Sequence, residues 1–158
     1  AAAGRARARG PWRGGRRVVF GGPYGAFTAG RSTKGQVVLV GGGVGITPIR
    51  ALMEEFGEGV EMDVVFRVSR RQDLVLREEL DYLAAKSAGL IRIHYLIGPR
   101  TQHPMDLDFL TALIPAFAQS EIYICGPTPL VDTVRQAAKS AGIPKHRFHD
   151  EAFAFHSG

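Results

Sequence analysis

The stretch VVLVGGGVGITPIRALM, residues 37–53, sets a glycine run between an apolar strand pattern and an amphipathic helix pattern. Val37, Val38, Leu39 and Val40 form a continuous apolar run, as in a parallel strand buried on both faces. Thr47 suits a helix N-cap and Pro48 the first helical position, where a missing amide hydrogen costs nothing, so a helix is expected to begin at Pro48. Ile49, Leu52, Met53 and Phe56 follow at helical spacing, and Gly57 offers a left-handed stop. The amino end of such a helix carries free backbone donors and a partial positive charge. The loop of Gly41, Gly42, Gly43, Val44, Gly45 and Ile46 is nearly free of side chains and lets a ligand approach those donors. A diphosphate fits that chemistry; close packing of helix on strand is the alternative use of the glycines.

The G-x-G-x-x-G dinucleotide fingerprint is out of register here, because counting from Gly41 and Gly43 puts the third glycine on Ile46. An ordinary dehydrogenase would also end its second strand with an acid for the ribose. Instead VEMDVVFRVSRR brings Arg67, Ser69, Arg70 and Arg71, with no carboxylate until Asp73.

A second strand-to-helix junction, EIYICGPTPLVDTVRQAAKSAG, repeats the first: an apolar strand runs through glycine into Thr128-Pro129 and a helix. Between the two junctions, MDVVFRV and IRIHYLI read as strands, and Leu76, Leu80 and Leu83 make one helical stripe ended by Gly89. A short helix is expected over residues 106–114, before Pro115. HRFHDEAFAF reads as a last strand with Phe153 and Phe155 on one face. The order β-α-β-α-β-α-β-α-β predicts an α/β fold, a doubly wound five-stranded parallel sheet of Rossmann-like type. Ligands of such sheets bind beyond the carboxyl ends of the strands where the winding reverses, so the two Gly/Thr-Pro loops are expected to wall one crevice.

The net charge of +5 and the pI of about 9.8 have a local origin. Arg5, Arg7, Arg9, Arg13, Arg16 and Arg17 supply six of the 20 basic residues, and no acid precedes Glu54. Without residues 1–17 the chain carries 14 basic against 15 acidic groups, a net of −1, so no nucleic-acid partner is expected. Residues 1–17, rich in Ala, Gly and Arg, read as a disordered tail, native or vector-derived, either functionless or a nonspecific ligand of phosphates or anionic lipid. No stretch approaches the ~20 apolar residues of a membrane-spanning helix, and no signal peptide is visible. One cysteine allows no intramolecular disulfide, so a reducing compartment is the expectation.

Several motifs recur here in the order found in one family. GPYGAF (with Gly22, Pro23, Tyr24 and Gly25), GGGVGITPIRAL, DLVLREEL, CGPTPLV and EAF together resemble the nucleotide-binding half of the ferredoxin-NADP reductase superfamily, especially its ferric-reductase-like and NADPH-oxidase-like branch. The resemblance runs from Gly22 to Phe155. It implies that residues 18–34 are the end of a flavin-binding barrel whose remainder is missing, that residues 35–155 bind NAD(P), and that residues 156–158 extend past the usual end. It also implies that NADPH, or NADH, delivers hydride to FAD, which passes electrons singly to haem, ferric iron or another acceptor. The expected partners are a flavin domain and a haem-containing membrane domain of a longer protein, with this part on the cytoplasmic side.

On this resemblance Gly41 to Pro48 hold the diphosphate, with Thr47 toward the nicotinamide. Cys125 lines the hydride-transfer position, or else is a small buried hydrophobe; Gly126 and Pro127 leave room for the ring. Glu151 and an aromatic, Phe153 or Phe155, abut the flavin. Arg100, after IRIHYLIGP, stands where the family often places ligands for the 2′-phosphate of NADPH, with Arg70 and Arg71 as second candidates. Three arginines at strand ends tilt the choice toward NADPH.

Other constellations fail on spacing. His146 and His149 lie three apart on an expected strand and point to opposite faces, so no shared metal is expected. His94 reads as a core or ribose-side residue. Neither a serine elbow, nor a poised carboxylate pair, nor a GxxxxGK[ST] loop is present. Two other classes remain open: a nucleotide-binding module without catalysis of its own, and an interaction domain that uses the arginine tail.

Overall fold

The structure, a computed structural model, describes residues 36–57 and 59–153. The arginine-rich segment, the barrel remnant with Gly22, Pro23, Tyr24 and Gly25, and Phe155 with the extension after it lie outside the described residues. The chain runs β1 (Gln36–Gly42), α1 (Ile46–Phe56), β2 (Met62–Val68), α2 (Arg77–Ala85), β3 (Ile91–Ile97), α3 (Leu107–Leu113), β4 (Ser120–Pro127), α4 (Thr128–Ser140) and β5 (Phe148–Phe153). All strand pairs are parallel, in the order β3-β2-β1-β4-β5.

That order follows from where apolar side chains can be hidden. Val37 to Val40 are fully buried, because β1 is the central strand with helices on both faces. Val37 and Leu39 join α1 residues Ile46, Ile49, Leu52, Met53 and Phe56 and α2 residue Leu80 in one core. Val38 and Val40 join Leu110 of α3 and Val131, Val134, Ala137 and Ala138 of α4 in the other. At about 25 cal/mol per Å² of apolar surface, these two layers supply most of the folding drive. The first two crossovers thus cover one face and the last two the other, which is the doubly wound arrangement expected.

Three boundaries differ from the sequence reading. Helix α1 begins at Ile46, not Pro48, because Gly43–Gly45 wind as a 3₁₀ turn that feeds directly into it. Thr47 is therefore inside the first turn, and no side chain caps the helix. Pro48 becomes the third helical residue, still among the amides that need no helical acceptor. The third helix is one residue shorter at each end than expected, since Asp106 is its N-cap and accepts the Phe109 amide at 3.0 Å. The last strand begins at Phe148, because Lys145–Arg147 form a 3₁₀ turn after Pro144; His146 is in that turn and not on the strand.

One polar network lies on the second face, away from the glycine loops. Asp63 of β2 is 3% exposed and accepts hydrogen bonds from Arg92 Nε and Nη2 (3.1 and 2.9 Å), from His94 Nε2 (2.8 Å) and from Gln36. Burial alone would raise the Asp63 pKa, but the bonds from His94 and Arg92 and their charges outweigh it and hold the carboxyl below its ordinary value. A depressed folded pKa stabilises fully above the ordinary carboxylate range, and that stabilisation is lost as pH falls through the folded value. Asp63→Asn is therefore expected to cost about 1 to 2 kcal/mol at neutral pH and less near pH 3, below the ordinary carboxylate range. Urea unfolding at both pH values checks this; an equal difference at both would contradict it.

Candidate nucleotide-binding site

Strands β1 and β4 are neighbours, with Gly41 opposite Cys125, yet α1 leaves β1 for one face and α4 leaves β4 for the other. Their amino ends open on the same sheet edge. Neither helix has a side-chain cap or an acid in its own first turn, so each amino end keeps free backbone donors and a partial positive charge. Two such helix ends at the point of reversal make a crevice suited to an anion.

The glycines of the first loop divide into two groups. A Cβ on Gly41 would come to 3.1 Å from Ile46 Cα, and one on Gly42 to 2.5 Å from Leu130 Cδ2. On Gly45 it would stand 2.0 Å from the Cys125 carbonyl oxygen. Those three let turn, helix and the end of β4 pack against one another. Gly43 is different. It has φ +58 and nothing within 4 Å of where its Cβ would be, so among these four loop glycines it alone combines left-handed backbone with open space. Val44 beside it is 61% exposed at the loop tip.

Across the crevice, Gly126 packs on Gly42, and Pro127 is the residue from which α4 starts. Cys125 is buried in the α1-side core, opposite Glu151 of β5. Burial, and then the negative charge of Glu151, push its thiol up to about 12, so it stays protonated at neutral pH and is no thiolate. Of the two uses foreseen for Cys125, the burial of a small hydrophobe is the one its surroundings display; contact with a nicotinamide ring asks only for its shape. Glu151 is half-buried, and Phe153 ends β5 opposite Pro127.

The arginines separate as well. Arg70 is tied to Asp73 at 3.2 Å, so the first acid after β2 neutralises it. Arg71 and Ser69 are exposed around the short turn that follows the strand. Arg67 is half-buried near the end of β2, and its guanidinium is destabilised first by burial and then by the charge of Arg100. Arg67, at the end of β2, and Arg100, on the loop after β3, have no carboxylate partner among the described residues. Two unneutralised cations whose charges act on each other, Arg67 half-buried and Arg100 exposed, favour a doubly charged anion. His94 is held by Asp63 and His149 by Glu121 at 2.7 Å, so each imidazole has a structural partner.

Sequence reasoning missed Leu130, which closes over both Gly42 and Gly126, and His103 and Met105, which hold the loop bearing Arg100. Leu130 was signalled by its place one residue past Thr128-Pro129. The other two had no periodic signal.

The geometry thus defines a doubly wound α/β domain with two uncapped helix ends at one end of its sheet. The model of the oxidoreductase NAD-binding domain family matches residues 39–136, and the chain belongs to that family, the nucleotide-binding half of the ferredoxin-NADP reductase superfamily. It is 31% identical to NADH-cytochrome b5 reductase 1 of Pyricularia oryzae, over 89% of this chain and 51% of the relative. It is 30% identical to the glycine betaine monooxygenase reductase subunit of Pseudomonas aeruginosa, over 88% of this chain and 41% of the relative. Among solved structures, an Amycolatopsis cytochrome P450 reductase matches with a TM-score of 0.66 at 21% identity, covering 89% of this chain and 43% of that one. The chain therefore spans about half the length of the curated relatives it matches.

Proposed function

We propose that this chain is the nicotinamide-nucleotide half of a flavin-dependent reductase. Bound NADPH would supply a hydride to FAD, from which electrons pass singly to an acceptor. The observation that carries the reading is the pair of uncapped helix ends at the carboxyl ends of β1 and β4, with Gly43 open at the first of them. Gly43 and Thr47 hold that diphosphate, Gly126 and Pro127 leave space for the nicotinamide, and Cys125 shapes the floor beneath it. Glu151 and Phe153 stand on the flavin side. FAD is held mainly by a preceding domain that includes Gly22 to Gly25. This reading follows the relatives, whose names describe reductases and whose length is about twice that of this chain. The motif resemblance to the ferric-reductase-like branch adds a haem-containing membrane domain as partner and the cytoplasmic side as location.

For the nucleotide itself, NADPH over NADH is the choice that Arg67 and Arg100 support, since a 2′-phosphate is the doubly charged group that separates the two. Arg100 is exposed, so its charge-assisted bond is taken at the low end, about 1.5 kcal/mol, roughly tenfold in affinity. Arg100→Ala and Arg67→Ala are each expected to lower the NADPH:NADH binding ratio by that factor, measured by fluorescence titration. Arg71→Ala should leave it unchanged. If only Arg71→Ala moves the ratio, the phosphate sits after β2; if none does, the preference for NADPH falls. The 158 residues by themselves should be colourless, because on this reading FAD is held mainly outside them. Stoichiometric FAD retained through purification would contradict that.

A further inference from the structure

Arg100 rides on the loop between β3 and α3, and that loop is pinned. Gly98 leaves β3 with φ +129 while its amide donates to the Val68 carbonyl at 3.0 Å, which keeps the loop beside the end of β2. The Pro99 carbonyl accepts from the amides of Gln102 (2.9 Å) and His103 (3.2 Å), closing a turn with Arg100 and Thr101 at its crown. The His103 ring then reaches back to the strand, Nε2 donating to the Ile97 carbonyl at 3.0 Å. A carbonyl can only accept, so the ring hydrogen is on Nε2, and Nδ1 is left buried without a partner among the described residues. The ring also meets Phe109 of α3 edge-on, centroids 5.9 Å apart. Two residues on, Met105 is 1% exposed at φ +60.

A buried unpaired nitrogen and a left-handed methionine both cost stability, and both fall in one short loop. What the loop obtains is a fixed position for Arg100 beside Arg67, where like charges repel. An unpinned Arg100 would be free to leave the neighbourhood of Arg67, and each phosphate that binds would have to draw it back and order it again. We propose that His103 is a positioning residue whose bond to Ile97 holds Arg100 in place before the nucleotide arrives, and so sets the discrimination between NADP and NAD. The proposal rests on the 2′-phosphate reading of Arg67 and Arg100.

The test is calorimetric titration of the 158-residue chain with NADP⁺ and with NAD⁺. His103→Phe keeps a ring against Phe109 and removes the donor; His103→Gln places an amide nitrogen at the reach of Nε2. The Phe variant is expected to bind NADP⁺ about tenfold more weakly with NAD⁺ changed less than about twofold, while the Gln variant keeps the wild-type ratio. His103→Asn, too short to reach Ile97, repeats the test should the Phe variant not fold. A ratio unchanged in both Phe and Asn variants overturns the proposal, as does equal loss of both nucleotides, the mark of a merely structural role. Arg100→Ala, run alongside, tells the two failures apart. If it lowers the ratio and His103→Phe does not, only the pin is wrong; if it leaves the ratio alone, the 2′-phosphate reading fails and takes the pin with it.

Discussion

Gly45→Ala is expected to cost this domain about 3 kcal/mol or more, a large share of the roughly 5 to 15 kcal/mol that holds a domain of this size together. The new methyl would stand 2.0 Å from the Cys125 carbonyl oxygen, 2.6 Å from its carbon and 3.2 Å from the Gly126 nitrogen. All three are backbone atoms of β4, which is paired on both sides, so no side-chain rotation relieves the contact. The backbone angles of Gly45 are ordinary helical ones, which alanine adopts freely, so the whole effect is steric. The 3₁₀ turn would have to lift from β4 or β4 would have to move within a parallel sheet. Urea unfolding measures the loss; a change below about 1 kcal/mol would show that turn and strand do not pack this closely.

Gly43→Val should do the opposite, leaving a folded domain that no longer binds nucleotide. Nothing stands within 4 Å of the new Cβ, so the fold loses only the cost of a β-branched residue at positive φ, about 1 to 2 kcal/mol. Binding suffers more. Either the valine fills the space where the diphosphate belongs, or the chain abandons φ +58 and turns its amides away. Losing two charge-assisted bonds at about 1.5 kcal/mol each weakens binding roughly 100-fold or more. Gly43→Asn separates the two causes, because asparagine tolerates the left-handed region and still obstructs. It should keep nearly full stability and lose binding as well. Binding unchanged in the Val variant would mean that the open space at Gly43 is not where the diphosphate lies.

The contrast between those glycines marks what the sequence could and could not disclose. The alternation of apolar runs with helical stripes was enough to predict five parallel strands and four helices, because β1 carries no polar residue over Val37 to Val40 and so has to be central. The meeting of the two loops was legible too, since Thr-Pro after glycine recurs at both reversing strands. What each glycine does was not legible. Gly43 and Gly45 are two residues apart in the same run, and only the approach of Cys125, some 80 residues later, tells one from the other. Arginine pairing was hidden for the same reason. Arg67, Arg70 and Arg100 look alike in sequence, but Asp73 neutralises Arg70 locally, whereas Arg67 and Arg100 meet only once β2 and β3 are side by side. Thr47 and Pro48 misled on where α1 starts because glycine permits a 3₁₀ entry that begins before any capping residue.

The central claim is that one nicotinamide nucleotide lies across the carboxyl ends of β1 and β4. Amide chemical shifts of the isotope-labelled chain, followed during titration with NADP⁺, test it most directly. Saturable shifts are expected, concentrated at residues 41–48 and 125–129, with a second set at Arg67 and residues 98–103. Shifts absent there, or gathered instead in the groove between α3 and α4 around Asp106, Asp132 and Gln136, would contradict it.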